Sequence, residues 1–350
     1  MSHAAQRPAG PAVRGGGRPT LEAVAALAGV GRGTVSRVIN GSPRVSDRAR
    51  EAVEQAIAEL GYVPNRAART LVTSRTDSIA LVIPETETRL SSEPFFNDII
   101  RGVSAELADT DMQLLLILVR TDKERDRLAT YLAAHRVDGV LMVSVHEDDP
   151  IPGLLERIDM PSVLVGRRSE LEPLSYVDAD NAGGARMAVR HLLRRGCTRI
   201  ATVTGPLDME PARARLAGYR KALEEAGLGG DEDLVGRADF TESGGREAMR
   251  GLLGRRPDLD AVFCASDVMA AGALQVLREA GRRVPEDVAV IGFDDSIIAR
   301  HTDPPLTSVR QPIEEMGRTM ARLLLEEVSE EGRARRQVVL ATELVVRASA

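Results

Sequence analysis

The stretch "GVGRGTVSRVIN", residues 29–40, holds two arginines, a threonine, a serine and an asparagine between apolar residues. On a helix, Val35, Val38 and Ile39 form an inner stripe, and Arg32, Gly33, Ser36, Arg37 and Asn40 face outward. Arginine can donate two hydrogen bonds to guanine O6 and N7 in a major groove. Threonine, serine and asparagine can bond phosphates or base edges, and Gly33 lets a backbone approach closely. A second set of polar groups lies far downstream, at the ends of apolar runs. Ser266 and Asp267 follow "AVFCA", Asp294 and Asp295 follow "VAVIGF", and Arg215 comes after "TVTGP". A carboxylate with an arginine can grip a small polyol by paired hydrogen bonds. Phe240, and Phe95 with Phe96, could cover the faces of a sugar ring or a base. Signatures of catalysis are missing: there is no phosphate loop, no H-E-x-x-H and no Ser/His/Asp pattern. His135, His146, His191 and His301 are scattered, and Cys197 and Cys264 lie far apart. The sequence therefore predicts no cofactor, no metal site, no disulfide framework and no enzyme.

The first set must be held by helices. "TLEAVAALAG" repeats apolar residues at Leu21, Val24, Ala25 and Ala28, with Thr20 to cap its start and Gly29 to end it. A second helix begins at about Arg32, and "NGSP" breaks the chain after it. The third, "SDRAREAVEQAIAELG", has Ser46 as its cap, Val53, Ile57 and Leu60 inside, and Gly61 as its stop. Asp47 and Glu51 suit the dipole of its first turn. Two helices joined by a tight glycine turn and braced by a third form a helix-turn-helix. After it, Asn65 can cap a helix "RAARTL" of about seven residues, too short to be stable alone in water. Its exposed side carries Arg66, alanines and Leu71, a composition suited to a minor groove and an apolar wedge between base steps.

Charge separates this head from the rest. Residues 1–75 hold eleven arginines against five acids, or +6, and the remainder of the chain, whose total is −6, carries −12. The basic head is suited to a polyanion and the acidic body is not. The first 18 residues, rich in arginine and glycine without an apolar core, read as a disordered basic arm and not a secretory signal. No apolar run reaches the length of a bilayer span. A cytoplasmic setting is expected.

From Ser78, apolar runs ("IALVIP", "MQLLLILV", "DGVLMVS", "PSVLVG", "RIATVTG", "DAVFCAS", "VAVIGFDD") alternate with helical stretches. This pattern predicts an α/β body of parallel sheets covered by helices on both faces. Seven such strands over about 270 residues suggest two lobes. Ligands in such sheets sit at the carboxyl ends of the strands.

Residues 19–75, with "TLEAVAALAGV" and "TVSRVINGSPRVSDRAREAVEQAIAELGYVPNRAARTL", closely resemble the DNA-binding head of the lac repressor/galactose repressor family, and the body follows the family's order. The resemblance implies a helix-turn-helix head (19–63), a hinge helix and linker (64–76) and a two-lobed periplasmic-binding-protein-like body (77–350). Lobe one would hold about 77–178 and 311–329, and lobe two about 179–303 and 334–347. It implies base reading by Arg32, Gly33 and Arg37, and phosphate contacts by Thr20, Thr34, Ser36 and Asn40. Leu71 would intercalate at the operator centre, with Ala68 in the minor groove. Arg215, Phe240, Ser266 and Asp294 match effector-contacting positions, and Asp267 would cap its helix. Gly31 stands where the family usually has serine. The expected partners are double-stranded operator DNA, a second copy of the chain and a small effector, most simply a sugar. No leucine heptads follow "ELVVRASA", so a dimer is expected. A solute-binding protein of a transport system is the alternative that the lobes alone would permit.

Overall fold

The structure, a computed structural model, describes residues 19–39, 41–63, 75–169, 171–329 and 334–350. The expectations for the arm 1–18, for Asn40 and for the hinge residues Asn65, Arg66, Ala68 and Leu71 lie outside these residues. The chain divides into two compact units, residues 1–76 and 77–350.

In the first unit, α1 (Leu21–Ala28), α2 (Arg32–Ile39) and α3 (Asp47–Leu60) surround a small core. Val24, Val35 and Val53 are completely buried at its centre, joined by Ala25, Val38, Ala56 and Tyr62. Thr20 caps α1 by accepting the Ala23 N–H at 3.3 Å, and Gly29 ends it in the left-handed region at φ +64°. Ser46 stands at the cap position of α3 but makes no capping bond with its side chain, which corrects that expectation. Ile39, Ile57 and Leu60 are half-buried at the core's edge, because the tight stripe of α3 runs through Val53 and the small Ala56.

The second unit contains two six-stranded sheets. Sheet one has the order β11-β5-β4-β3-β1-β2, from β1 (Ser78–Ile83), β2 (Gln113–Leu118), β3 (Gly139–Met142), β4 (Ser162–Val165), β5 (Ser175–Ala179) and β11 (Gln337–Leu340), all parallel. Sheet two has the order β12-β10-β9-β8-β6-β7, from β6 (Ile200–Thr204), β7 (Val235–Arg237), β8 (Ala261–Cys264), β9 (Ala289–Asp294), β10 (Thr307–Arg310) and the antiparallel edge strand β12 (Glu343–Val345). Alternation along β1 shows why both faces need helices. Ile79, Leu81 and Ile83 enter one core cluster, whereas Ala80 and Val82 enter the other.

The chain crosses between the lobes three times, after β5, after β10 and after β11. The second crossing leads into α13 (Ile313–Ser329), which returns to sheet one and packs on α5 (Pro94–Leu107). The two helices come close enough that a Cβ on Gly102 would lie 2.1 Å from the Glu314 carbonyl oxygen. The stretch "QVVLATELVV", expected in lobe two, is divided: β11 completes sheet one and β12 completes sheet two. A short strand at each sheet's edge satisfies this division, because both edges need a partner at the point where the chain crosses. No helix among the described residues is long and apolar enough to cross a membrane.

Candidate functional sites

On the head, the outward face of α2 presents Arg32, Gly33 and Arg37 exposed, with Thr34 and Ser36 half-exposed beside them. The Gly31 carbonyl accepts the Val35 N–H at 3.2 Å and opens the helix, but this residue has no side chain to cap it. Arg32 lies 3.0 Å from Glu22 of α1, with both side chains more than half exposed. Such a surface pair holds Arg32 only lightly and releases it at little cost. The face therefore offers two arginines and two hydroxyls on a rigid support, with no bulk at Gly33.

In the body, strand ends from both sheets converge on a cavity of about 580 Å³, counted to its open mouth. Lobe one supplies Arg89 from α4 (Glu87–Ser92), Glu93 and Phe95 at the start of α5, Ser144 after β3, Arg167 after β4 and Asp178 of β5. Lobe two supplies Asn181 at the start of α8 (Asn181–Arg194), Arg215 of α9 (Glu210–Glu225), Phe240 and Asp294, and Gln311 comes from the second crossing.

Arg215 is the hub of the lobe-two side. It is 5% exposed. Its Nε donates to Asn181 Oδ1 at 2.8 Å, its Nη1 donates to the Ala265 carbonyl at 2.5 Å, and its guanidinium lies 3.8 Å from the Phe293 ring centroid. Asp294 Oδ1 is 3.8 Å from Arg215 Nη1 and accepts from Gln311 Nε2 at 2.6 Å. Burial raises the Asp294 carboxyl to about 7 despite the pull of Arg215. Asp178 accepts from Asn181 Nδ2 at 2.9 Å, and its burial raises it to about 6.

Arg89 is the corresponding hub of lobe one. Its guanidinium pairs with Glu85 and, through Nε at 3.0 Å, with Glu93, and it lies 5.2 Å from the Phe240 centroid across the cleft. Burial lifts Glu93 to about 7. Glu85 also resists burial, but His146, Arg89 and Ser144 together hold it below the usual carboxylate range. Phe240 has φ +65°, and its ring tip packs where a Cβ on Gly205 would be, 2.1 Å away. That close fit fixes the ring against Gly205 in the wall of the cleft.

The lobes meet along one rim. His146 Nδ1 is 2.7 Å from Asp208 Oδ2, the Glu147 N–H donates to the Asp208 carbonyl at 2.9 Å, and Arg213 bonds Glu147 Oε2 and the Arg168 carbonyl, each at 2.9 Å. Further in, Arg167 Nη2 is 3.3 Å from Glu210 Oε1. Here two buried atoms have no hydrogen-bond partner among the described residues, the donor Arg167 Nε and the acceptor Glu210 Oε2.

Of the residues expected at the effector site, Phe95, Arg215, Phe240 and Asp294 line the cavity. Phe96 does not. It is 1% exposed in the core of lobe one, edge-on to Phe95 with centroids 5.4 Å apart. Ser266 is also displaced from the expected role: its Oγ accepts the Met269 N–H at 3.2 Å and caps α11 (Asp267–Glu279). Asp267, expected as that cap, instead accepts from Ser308 Oγ at 2.6 Å and from the Ser296 N–H at 2.7 Å. The cap thus falls to Ser266, whose short side chain reaches the free N–H groups of the helix, while the buried Asp267 reaches β10. Arg89, Glu93, Arg167, Asp178, Asn181 and Gln311 were missed. The rule that ligands sit at strand ends, applied to β1, β4 and β5 as well, would have found most of them.

Comparison with known proteins places both units. Residues 20–65 match the family described as bacterial regulatory proteins, lacI family, and residues 189–350 match the periplasmic binding protein-like domain. The chain is 56% identical over 334 residues to the HTH-type transcriptional regulator CelR of Thermobifida fusca, covering 95% of this chain and 98% of that protein. It is 35% identical over 333 residues to the ribose operon repressor of Escherichia coli K12, covering 95% and 99%. Among solved structures it resembles the CelR–cellobiose complex (TM-score 0.77, 53% identity, 95% and 100% covered). It also resembles the lac repressor dimer bound to operator and the anti-inducer ONPF (TM-score 0.83, 28% identity, 95% and 99% covered). A helix-turn-helix head joined to this body decides against a transport solute-binding protein, and the relatives regulate transcription rather than catalyse a reaction. The chain belongs to the lacI family of bacterial regulatory proteins and is a DNA-binding, ligand-responsive transcriptional regulator.

Proposed function

We propose that this regulator is a cytoplasmic, dimeric repressor of a near-palindromic operator, and that its effector is a β-linked glucose disaccharide of the cellobiose type. The observation that carries the effector reading is a cleft walled by Phe95, Phe240, Arg167, Arg215 and Asp294, whose polar groups can bond hydroxyls. Hydroxyls satisfy such groups and aromatic faces cover sugar rings. The similarity to a regulator solved with cellobiose supports the same class.

On DNA, one α2 per subunit enters the major groove, with Arg32 and Arg37 reading bases and Thr20, Thr34, Ser36 and Asn40 bonding phosphates. Asn65, Arg66, Ala68 and Leu71 form a hinge helix in the minor groove, with Leu71 as the wedge. Effector bound between the lobes changes how they close, and so how favourably the paired hinges fold: coupling through a segment that orders on DNA. Fluorescence anisotropy with a labelled operator tests this. Cellobiose should change operator affinity at least about tenfold, the usual scale of such coupling, and no change would refute the effector assignment. Leu71→Ala should weaken operator binding and reduce bending in a circular-permutation gel assay; unchanged affinity and bend would refute the hinge.

A further inference from the structure

Three guanidiniums reach the cleft, and each already holds a carboxylate: Arg89 with Glu85 and Glu93, Arg167 with Glu210, and Arg215 facing Asp294. Asp178 is a fifth acid, buried within the same wall. The acids therefore outnumber the guanidiniums. Arg89 is clamped from both sides, and its remaining surroundings are the Phe96 and Phe240 rings and the Met209 sulfur.

From this arrangement we infer that Glu85, Glu93 and Glu210 set the charge class of the effector: by occupying the arginines of the cleft, they admit uncharged sugars and turn away phosphorylated or carboxylated ones. The inference rests on the sugar reading above and extends it to specificity. An anionic sugar entering this cleft meets no arginine that lacks a carboxylate. It would have to displace a buried one, which would then face the incoming anion in a medium where like charges repel strongly. A neutral hydroxyl needs no such displacement, since it bonds to the outer N–H and oxygen atoms of pairs left in place. The filter thus resides in residues whose partners are other side chains, and a contact list for the sugar alone would overlook it.

Calorimetric titration of the full chain with cellobiose, its 6-phosphate and the corresponding uronic acid tests the proposal. The wild type should bind the two anions at least about tenfold more weakly than the neutral sugar, or roughly 1.4 kcal/mol. Glu93→Gln, which loosens the clamp on Arg89, and Glu210→Gln, which frees Arg167, should each narrow that ratio at least about fivefold. Equal binding of neutral and anionic sugars by the wild type overturns the inference, as does a ratio unmoved in both variants. Inorganic sulfate gives a readout independent of the sugar. At matched ionic strength in chloride, sulfate should raise the Tm of the two variants more than that of the wild type, and an equal response of all three overturns the filter. If cellobiose fails to bind the wild type, the sugar reading falls, and the sulfate comparison still decides the filter.

Discussion

Two adjacent phenylalanines separate binding from stability at the level of single residues. Phe96 is packed in the core of lobe one, and Phe95 lines the cleft. Phe96→Ala should cost about 3–5 kcal/mol of stability, the range for emptying a buried aromatic site, as read by urea unfolding. Phe95→Ala should weaken sugar binding with a smaller loss of stability. If the two variants unfold alike, the assignment of faces is wrong. Asp294 offers a sharper test, because its carboxylate joins Gln311 of the second crossing to the buried Arg215. Asp294→Asn keeps the shape but removes the charge-assisted bonds, each worth about 1.5–3 kcal/mol. Effector affinity should fall roughly 10- to 100-fold while operator binding without sugar is retained; a normal response in the operator titration would remove Asp294 from the site.

At the level of elements, the start of α2 is the least optimised part of the head. Gly31 opens the helix without a side-chain cap, and a Cβ there meets open space. Gly31→Ser should stabilise the head by a few tenths of a kcal/mol, the difference between serine and glycine at such a position, visible as a raised Tm of the isolated transition of the head; a lowered Tm would contradict it. Helices were largely legible because their apolar periods are long: the stretches 95–110, 181–195, 212–227 and 267–280 read as helices from the sequence, and α5, α8, α9 and α11 fall within three residues of them at either end. The short strands β5, β7 and β10 were not, since three to five residues carry too little pattern. The same limit applied to the site. Arg215 and Asp294 stood out because each follows an unmistakable strand. Arg89 and Glu93 sit around a six-residue helix interrupted by Pro94, and their meaning emerges only when residues from 89 to 311 converge on one cavity. Ser266 and Asp267 could not be told apart by type, since both serine and aspartate cap helices well. His146 looked like a scattered surface residue, yet it bridges the lobes.

The molecule as a whole should respond to pH through buried groups in both lobes. Bonds to Glu85 and Asp208 raise the His146 pKa against the effect of burial. Burial raises Glu93 from 4.5, and Asp267 and Asp294 from 3.8, each to about 7. All four bind protons more tightly in the folded chain than in the unfolded one. Their contribution is therefore complete at low pH and is lost as pH rises through the folded values. The lowered pKa of Glu85 acts in the opposite sense and removes stability below about 4.5. Tm should accordingly rise as pH falls from about 8 to about 5.5, and His146→Gln should flatten the upper part of that profile in scanning calorimetry. A Tm that climbs with pH across this window would contradict the assignment. The division of residues 337–345 between the two sheets has a further consequence, for synthesis. Sheet one lacks β11, and its core lacks α13, until nearly the whole body has been translated, so neither lobe can close its hydrophobic interior early on the ribosome. The nascent chain must carry two unfinished halves at once, and their maturation is tied to the same late segment.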